Sequence, residues 1–416
     1  MKDARDQAPD MVIVGAGPAG LAAGIAAAGK GMKALVLEKG AMAGPLPRGE
    51  GVNRHPLLDE YLGADFWENQ CHRMDGSLEF HSPGDAKQTF LRGKREIYFF
   101  EWRRFMERLV RTAESSGVSI RYNSRVIGPL VNNERICTGV RYREESGAVR
   151  EVHGKAVLAC DGHKSVMGKH YGVDYERLNC AMVKCIAGNA NIDAAANPAL
   201  RFFLIGNGDL SYAPNFPPSV AYGFPIGGKR MELGLMCRMG QAARMGATVR
   251  APANKTVLQV WKRLKEEYPG FSSFFKGADI EYETVTALSN ARMVPELIPM
   301  PGLVLIGDSA GFIDPFGSSG IYSGMSMAVF WATMLAAEIQ KQAEGRQGPH
   351  RPEEMWRPGK IRKYHKAFRK TRIFRKIHRS YFLMGQFEWY VFRHLRTQRR
   401  INNRWPLISW LLRRAG

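Results

Sequence analysis

Cysteine is scarce in this sequence, and acidic side chains are outnumbered by basic ones. The six cysteines form no C-x-x-C pair and no Cys/His spacing typical of a metal site, since even Cys180 and Cys185 stand five residues apart. We therefore predict buried thiols in a reducing, cytoplasmic compartment, and no metal site. The polar first ten residues contain no signal-peptide pattern, so we expect no cleaved targeting segment.

The sequence also lacks a clear membrane-spanning segment. The uncharged stretch Met11–Gly29 has a suitable length, but five glycines and a proline interrupt it. Neither an internal repeat nor a low-complexity linker is present. Hydrophobic residues make up 45% of the 416 residues, which is enough for a packed core. This length and composition predict a globular protein of roughly two to three domains.

The excess of positive charge is concentrated at one end of the chain. Residues 360–416 contain 17 Lys or Arg and one acid, Glu388, and so carry +16 of the formal net charge of +21. The rest of the chain is close to neutral. The charge therefore belongs to a C-terminal segment and not to the core.

A glycine-rich turn near the start has the pattern of a dinucleotide-binding loop. A β-branched run, Met11–Val14, leads into Gly15-x-Gly17-x-x-Gly20, an alanine-rich helix and a second strand that ends at Glu38. Gly15 permits the tight turn, Gly17 lets the backbone approach a pyrophosphate, and Gly20 lets the helix pack closely on the strand. The helix N-terminus would face the phosphates, and Glu38 would accept hydrogen bonds from a ribose. This motif alone does not separate FAD from NAD.

A second motif, almost 300 residues later, favours FAD. A buried strand over 302–306 ends in Gly307-Asp308, and an Asp at such a strand end can bind the ribityl hydroxyls of a flavin. Pro315 and the run Gly317-Ser318-Ser319-Gly320-Ile321 then open a helix predicted to continue to about Ile339. Backbone N–H groups at this helix start can hold the flavin pyrimidine edge, and the helix dipole would stabilise negative charge on a reduced flavin.

The other periodic segments complete the predicted fold. Trp102–Ser115 has helical spacing, residues 118–122 and 139–142 read as strands, 151–160 as one further strand, and 180–291 alternates like an antiparallel sheet. The predicted fold class is α/β: a Rossmann-like FAD-binding domain with an inserted antiparallel-sheet substrate domain and a C-terminal helical segment. The predicted boundaries are 9–80, 100–180 and 285–345 for the discontinuous FAD domain, 181–284 for the substrate domain and 346–416 for the basic segment.

Several motifs together resemble the geranylgeranyl reductase family of p-hydroxybenzoate-hydroxylase-type flavoproteins. They are Gly49-Glu50-Gly51, the hairpin region 76–84, Ala221-Tyr222-Gly223-Phe224-Pro225 and the loop 307–321, with Asp161-Gly162 between them. The resemblance covers roughly residues 9–345. It implies an FAD-dependent oxidoreductase that reduces carbon–carbon double bonds of a prenyl lipid by hydride from flavin N5.

The resemblance also implies two sets of site residues. Tyr222 and Phe224 would line the substrate cavity. The residues expected around FAD are Gly15, Gly17, Pro18, Ala19, Gly20, Glu38, Lys39, Gly49, Arg104, Val126, Asp161, Gly162, Gly307, Asp308, Pro315, Gly317, Ser318, Ser319, Gly320 and Ile321.

The sequence departs from the family pattern at three places. Arg48 stands where the family usually has a cysteine, the aromatic motif has no tryptophan, and Trp102 stands where related enzymes have an arginine, although Arg103 and Arg104 are adjacent.

The loop over residues 312–320 resembles the halogenase version, so a flavin-dependent monooxygenase or halogenase acting on an aromatic or lipid-like substrate is the alternative. No side chain stands out as a proton donor. No second nucleotide fold is visible, so the reductant would be transiently bound NAD(P)H or a separate electron carrier.

The basic C-terminal segment leaves two interpretations open. Aromatic residues recur at helical spacing between Ile361 and Leu395, with Arg and Lys at the other positions. The segment could cap the core with its apolar stripe, or lie as an interfacial helix on an anionic membrane surface. No nucleic-acid-binding module accompanies the charge, so we predict no nucleic-acid partner.

Overall fold

The structure is a computed structural model of the chain. It describes residues 8–45, 47–93, 95–175, 180–191, 199–205, 219–237, 253–288, 292–315, 319–344, 351–395 and 397–415.

The described residues contain strands distributed over the first three quarters of the chain. In chain order they are β1 (Met11–Val14), β2 (Ala34–Leu37), β3 (Gly49–Asn53), β4 (Cys71–Met74), β5 (Leu78–His81), β6 (Gln88–Leu91), β7 (Ile97–Glu101), β8 (Ser119–Arg121), β9 (Arg125–Val131), β10 (Cys137–Arg143), β11 (Val149–His153), β12 (Ala156–Ala159), β13 (Cys180–Gly188), β14 (Leu200–Ile205), β15 (Ser219–Gly227), β16 (Arg230–Cys237), β17 (Asp279–Leu288) and β18 (Leu303–Leu305).

Helices connect these strands and form the C-terminal part of the chain. They are α1 (Pro18–Ala28), α2 (Pro56–Leu62), α3 (Ala64–Asn69), α4 (Trp102–Ser115), α5 (Val166–His170), α6 (Ala253–Glu267), α7 (Pro269–Ser272), α8 (Ile321–Glu344), α9 (Pro352–Met355), α10 (Pro358–Arg369), α11 (Arg372–Glu388), α12 (Gln398–Asn403) and α13 (Trp405–Ala415). Short 3-10 turns lie at Pro83–Asp85, Gly162–Lys164, Ser273–Phe275 and Gly307–Ala310, and a π-helix at Trp389–Leu395.

The chain divides into two compact units, and each is discontinuous in sequence. Unit 1 comprises Met1–Pro45, Met106–Leu178 and Arg292–Ser380, and unit 2 comprises Leu46–Phe105, Asn179–Ala291 and Tyr381–Gly416. The three-part domain division expected from the sequence stays a prediction.

Unit 1 is built on a parallel sheet with the strand order β18-β12-β1-β2-β8. Every residue of β1, β2, β12 and β18 is buried, which explains their continuous apolar sequences. A three-stranded antiparallel sheet, β11-β10-β9, completes the strands of this unit. The predicted Rossmann-like α/β fold is confirmed.

The strand predicted over residues 151–160 is wrong in detail, because this stretch contributes to two sheets. Its first part, in β11, pairs antiparallel with β10, whereas β12 pairs parallel with β1. Gly154 makes the transition: a Cβ atom there would lie 2.9 Å from the Cγ2 atom of Val12. The close approach requires glycine and lets the chain change sheets within two residues.

Unit 2 contains a seven-stranded sheet with the order β17-β13-β16-β15-β14-β5-β6. Its pairs are antiparallel except for β14 with β5, which is parallel. A second sheet, β3-β7-β4, is antiparallel. The antiparallel sheet expected over 180–291 is therefore present, but the stretch also contains α6, which the sequence analysis missed. Val257, Val260, Trp261 and Leu264 of α6 are fully or almost fully buried against one face of the large sheet.

The basic C-terminal segment packs into both units through its apolar side chains. In unit 1, Phe368 of α10 is fully buried, with its ring centroid 5.6 Å from that of Trp331. In unit 2, Trp405, Ile408 and Leu412 of α13 are buried in one cluster with residues of the π-helix and with Leu204. The segment therefore forms part of the two cores, as the first of the two sequence interpretations required. In the part of the chain that the structure describes, no helix is long and apolar enough to cross a membrane.

Candidate functional site

The glycine turn after β1 has a geometry that only glycine permits. Gly15 has a φ of +96°, and a Cβ atom there would lie 2.7 Å from the carbonyl oxygen of Cys160. A Cβ on Gly20 would lie 1.9 Å from the carbonyl oxygen of Gly15, so α1 approaches the strand too closely for any side chain. At Gly17, by contrast, a Cβ would meet nothing within 4 Å. The turn is thus tight on the protein side and open beside the N-terminus of α1.

The first turn of α1 suits an anion. Gly17 is its N-cap and provides no side-chain cap, Pro18 occupies the first helical position, and no acidic residue lies in the first turn. The first backbone N–H groups of a helix lack intrahelical acceptors, and the helix dipole makes this end positive. The open space beside Gly17 therefore fits a pyrophosphate group.

Glu38 lies beside this turn, as the sequence predicted for a ribose-binding acid. Its Oε2 atom accepts a hydrogen bond from the Ala16 backbone N–H at 2.8 Å, and its Oε1 atom accepts one from Gly40 at 3.0 Å. These two bonds fix the carboxylate, and each oxygen retains a lone pair for a ribose hydroxyl. The adjacent Lys39 is exposed.

Asp161 follows β12 and has one buried oxygen atom free to bind a ligand. Its Oδ2 atom accepts hydrogen bonds from the backbone N–H groups of Val166 and Met167 at 2.8 and 3.3 Å. Its Oδ1 atom is buried and has no hydrogen-bond partner among the described residues. Burial raises the pKa of Asp161, and hydrogen bonds from Ser165 and the backbone oppose this shift. Gly162 next to it has a φ of +78° with open space around its Cα atom.

The loop after β18 is held firmly against the strand ends. The Ser309 hydroxyl is buried, donates to the Ala159 carbonyl oxygen at 2.6 Å and accepts from the Ile306 backbone N–H at 2.9 Å. A Cβ on Gly307 would lie 3.3 Å from the Ala19 Cβ atom and 3.6 Å from the Gly324 Cα atom. The N-terminal turns of α1 and α8 therefore pack closely around this loop.

Asp308 and the start of α8 are brought together within unit 1. A Cβ on Gly320 would lie 3.1 Å from the Asp308 Oδ1 atom. The Ser319 carbonyl oxygen accepts a hydrogen bond from the Asp314 backbone N–H at 3.1 Å. Ser319 lies two residues before Ile321, the first residue of α8. Pro315 is buried, and the predicted residues Gly317 and Ser318 lie outside the described residues.

These groups together fit a dinucleotide. Unit 1 places the open side of the glycine turn, the fixed Glu38 carboxylate, the unsatisfied Asp161 oxygen and the Asp308 loop at the carboxyl ends of β1, β2, β12 and β18. Ligands bind at this edge in open α/β sheets. Val126, also in unit 1, is a buried residue of β9 paired with Tyr142.

The remaining predicted site residues belong to unit 2. Arg104 lies in the first turn of α4 with an exposed side chain, 3.8 Å from a carboxylate oxygen of Glu101. Gly49 begins β3, where a Cβ would lie 2.5 Å from the Ile226 Cγ2 atom. Tyr222 and Phe224 project from the same face of β15, with ring centroids 5.9 Å apart.

Unit 2 contains a buried charged network that the sequence analysis did not find. Glu232 is completely buried; its Oε1 atom lies 2.9 Å from Lys184 Nζ and accepts a hydrogen bond from the Tyr222 hydroxyl at 3.2 Å. Its Oε2 atom accepts from the Gly49 backbone N–H at 2.7 Å. Lys184 Nζ also lies 3.3 Å from the Glu50 Oε1 atom. In the sequence, Glu232 is a single acidic residue in the alternating run 231–235, and such a pattern ordinarily places the acidic side chain in solvent.

Two departures from the family pattern contact each other. The Arg48 guanidinium stacks on the Trp102 ring, with the Cζ atom 3.7 Å from the ring centroid, and its Nε atom lies 3.0 Å from Glu50 Oε1. The Trp102 backbone N–H also donates to the Arg48 carbonyl oxygen at 3.0 Å. A stacked, paired guanidinium has a fixed orientation. Arg48 and Trp102 are therefore one coupled feature.

Known proteins resemble this chain over most of its length. The digeranylgeranylglycerophospholipid reductase 2 of Methanopyrus kandleri is 27% identical over 385 residues, which cover 88% of this chain and 86% of that protein. A crystal structure of a geranylgeranyl bacteriochlorophyll reductase-like protein from Thermoplasma acidophilum matches with a TM-score of 0.71 at 21% identity, covering 90% of this chain and 86% of the other. A flavin-dependent brominase triple mutant matches with a TM-score of 0.65 at 15% identity, covering 97% and 94%. These structural similarities establish the fold.

A sequence profile described as FAD binding domain matches residues 9–347. The sequence predictions of FAD, of an oxidoreductase and of a resemblance to geranylgeranyl reductases are thereby confirmed. Since the profile spans most of the 416 residues, the chain belongs to the FAD-binding domain family.

Proposed function

We propose that this protein is an FAD-dependent reductase that saturates carbon–carbon double bonds in the prenyl chains of a geranylgeranyl-type lipid. The observation that carries the proposal is the similarity to a digeranylgeranylglycerophospholipid reductase along 88% of the chain. The similarity therefore includes unit 2 as well as the nucleotide-binding elements. The fit of unit 1 to a dinucleotide supports the cofactor assignment.

FAD, when bound, supplies the hydride that a double bond takes up. The chain's own residues would bind and orient the cofactor. The backbone N–H groups after Gly17 would hold the pyrophosphate, Glu38 the ribose, and Asp308 the ribityl hydroxyls. The N-terminus of α8, which begins at Ile321, would face the pyrimidine edge and stabilise negative charge there.

An apolar cluster in unit 2 suits a prenyl chain. Tyr222 and Phe224 belong to it, and the Phe224 ring stacks on Phe99 with centroids 4.9 Å apart. Its other buried members include Met74, Met182 and Ile226. Methionine and aromatic side chains offer adaptable contacts to a flexible hydrocarbon. We propose that this cluster contributes to substrate binding through Tyr222 and Phe224.

We also propose that the protein rests on an anionic membrane surface through α13. One face of this helix is buried and consists of Trp405, Ile408 and Leu412. A second apolar face is exposed and consists of Leu407, Trp410 and Leu411. The exposed fractions of these three side chains are 43%, 47% and 37%. Exposed Arg404 directly precedes the helix, and exposed Arg413 lies in its last turn. An apolar face flanked by cations matches the boundary of an anionic bilayer, where a substrate lipid would reside.

Oxygen consumption tests this function against the alternative of a monooxygenase or halogenase. The protein, loaded with FAD, is supplied with NAD(P)H or a chemically reduced electron carrier, together with a geranylgeranyl lipid. The reductase predicts loss of double bonds with no oxygen or halide in the product. Insertion of oxygen or halide into an aromatic substrate, with prenyl lipids left untouched, would establish the alternative. Comparing the two donors also identifies the reductant.

A further inference from the structure

The charged network of unit 2 forms a continuous path from partly exposed groups to a buried phenol. Glu50, whose side chain is 23% exposed, contacts Lys184, which is 13% exposed. Lys184 contacts the completely buried Glu232, and Glu232 accepts the hydrogen bond of Tyr222. The successive distances are 3.3, 2.9 and 3.2 Å. Each lies within reach of proton transfer between heteroatoms, so no bridging water is needed.

Burying these charged groups in the core costs free energy of desolvation, and a functional role would explain why they are there. A buried ion pair gains little over an apolar pair of the same shape, because desolvation offsets the attraction. The surroundings of Tyr222 and Glu232 are otherwise apolar, formed by side chains such as Phe99, Ile186 and Ile226. A hydrogen-bonded set of titratable groups with shifted pKa values, ending among apolar side chains, is a candidate for a site that moves protons.

The two carboxyl groups of the path differ in acidity. Burial raises the pKa of Glu232, the charge of Glu50 raises it further, and Lys184 opposes both. Burial would also raise the pKa of Glu50, but Lys184 and Arg48 outweigh it and hold that pKa below the ordinary value. Burial and the charge of Glu232 keep the pKa of Tyr222 well above its ordinary value, so the phenol stays protonated. The outer carboxyl group therefore remains ionised while the inner one holds a proton more readily.

Every element packed against Glu232 contributes to this balance. Lys184 comes from β13, Tyr222 from β15, and the Gly49 N–H and Glu50 from β3. On β16 itself, the neighbouring charged side chain is Arg230, which forms its own ion pairs with Glu101 and Glu281. The path therefore has a defined set of partners, and Glu281 offers a carboxylate outside it.

We propose that Glu50, Lys184, Glu232 and Tyr222 form a proton relay in which the Tyr222 hydroxyl delivers the proton consumed by double-bond reduction. This inference rests on the proposed function. With FAD bound, the cofactor would supply a hydride to one carbon of the double bond as its π bond breaks, and the Tyr222 O–H group would give its proton to the other carbon. Two electrons pass to the substrate, and NAD(P)H or an electron carrier restores them. Tyr222 regains its proton from Glu232, which is reprotonated through Lys184. Tyr222 is the catalytic residue, and Glu232 is a positioning residue that acts through it.

The first test measures Glu232 without any substrate. Infrared difference spectra of the FAD-loaded protein, recorded across pH, should contain a buried carboxylic acid that titrates above the ordinary range of glutamate. The band should vanish in Glu232→Gln, shift in Tyr222→Phe, and remain in the matched control Glu281→Gln. If the wild-type protein has no such band, or Glu232→Gln retains it, the relay is refuted.

The second test measures lipid reduction in a single anaerobic turnover. Tyr222→Phe should slow reoxidation of the reduced enzyme by a geranylgeranyl lipid about 10²- to 10⁴-fold, as expected for loss of a general acid, with lipid affinity unchanged. In the wild type the rate should fall as pH rises through the raised pKa of Glu232. Glu232→Gln should be at least about tenfold slower and lose this pH dependence, whereas Glu281→Gln should keep both.

The outcomes separate the relay from the proposed function. Variants that contain normal FAD, fold normally and reduce lipid at the wild-type rate and with the wild-type pH profile would overturn the relay and leave the reductase intact. A wild-type protein that reduces no prenyl lipid would overturn the proposed function. In that case the infrared band alone still shows whether Glu232 holds a proton.

Discussion

Replacing Gly17 with valine should remove FAD without disturbing the fold. The backbone of Gly17 is extended, with a φ of −74° and a ψ of 176°, which any residue can adopt, and a Cβ there would meet nothing within 4 Å. The apoprotein should therefore lose on the order of 1 kcal/mol or less, since valine is a poorer helix N-cap than glycine. The same side chain would project into the space assigned to the pyrophosphate.

The loss of FAD affinity follows from the hydrogen bonds that valine would prevent. Two charge-assisted bonds from the first N–H groups of α1 contribute about 1.5–3 kcal/mol each. Their loss amounts to roughly 3–6 kcal/mol, or a dissociation constant about 10²- to 10⁴-fold larger. The measurement is a fluorescence titration of apoprotein with FAD, with thermal unfolding of the apoprotein recorded alongside.

Two other glycines provide controls for this experiment. Gly128→Val also meets nothing within 4 Å, but in β9, and should keep wild-type FAD affinity. Gly20→Ala should destabilise the apoprotein itself, because its Cβ would lie 1.9 Å from the Gly15 carbonyl oxygen. Wild-type affinity in Gly17→Val would refute the placement of the phosphate loop, and an unfolded Gly17→Val apoprotein would refute the local geometry.

Two further predictions concern membrane binding by the basic C-terminal segment and the stability of the fold in acid. Trp410→Ser combined with Leu411→Ser should weaken sedimentation with anionic vesicles at low salt at least about tenfold. Binding should fade as salt rises, because exposed charges are screened over roughly 10 Å at 0.1 M. A wild-type protein that stays in the supernatant would contradict the membrane proposal. The His81 Nε2 atom lies 3.6 Å from Glu79, and Arg201 donates a hydrogen bond to it at 2.9 Å. Interactions with these two side chains, His81 first, hold the pKa of Glu79 at about 2, below its ordinary 4.5. The stability that Glu79 contributes is therefore complete above pH 4.5 and is lost as pH falls towards 2. Glu79→Gln should lower the free energy of unfolding at neutral pH by about 1.5 kcal/mol, the lower end for a hydrogen bond to a charged group, and reduce the fall of that free energy between pH 4.5 and 2 in urea unfolding. An unchanged acid profile would contradict this prediction.

The strands, turns and helices around the expected nucleotide site could be predicted because their sequence signals are local. Gly15 is required by its positive φ and Gly20 by the approach of its Cα atom to the Gly15 carbonyl oxygen, and Glu38 follows the next strand along the chain. The same holds for Asp308 at the end of β18. Close spacing in sequence fixes geometry here, so strand, turn and helix carry their own signals.

The charged network could not be predicted, because it depends on contacts between distant strands. Glu232 alternates with Met231 and Leu233, and such alternation usually places the polar residue in solvent. In unit 2 both faces of the sheet are covered, one by the cluster around Trp261 and the other by that around Tyr222, so Glu232 is buried. Its partners come from β3, β13 and β15, and their pairing has no local signature.

The helix α6 was missed for a different reason. Its signal was present, since Val257, Val260, Trp261 and Leu264 follow a helical repeat and are buried. The surrounding alternation of strands obscured it. In the basic C-terminal segment, the sequence does not tell the buried face of α13 from its exposed face, because both faces carry apolar residues. Only packing separates the buried Trp405, Ile408 and Leu412 from the exposed Trp410.

The central claim is most directly tested by the mass of a lipid product. The FAD-loaded protein is reduced under anaerobic conditions, mixed with a geranylgeranyl lipid in anionic vesicles, and the lipid is extracted for mass spectrometry. Our account predicts a product that has gained two hydrogens for each reduced double bond, with one flavin reoxidised per bond and no added oxygen. Reduced protein that retains its electrons in the presence of the lipid, and returns the lipid unchanged, would contradict the account.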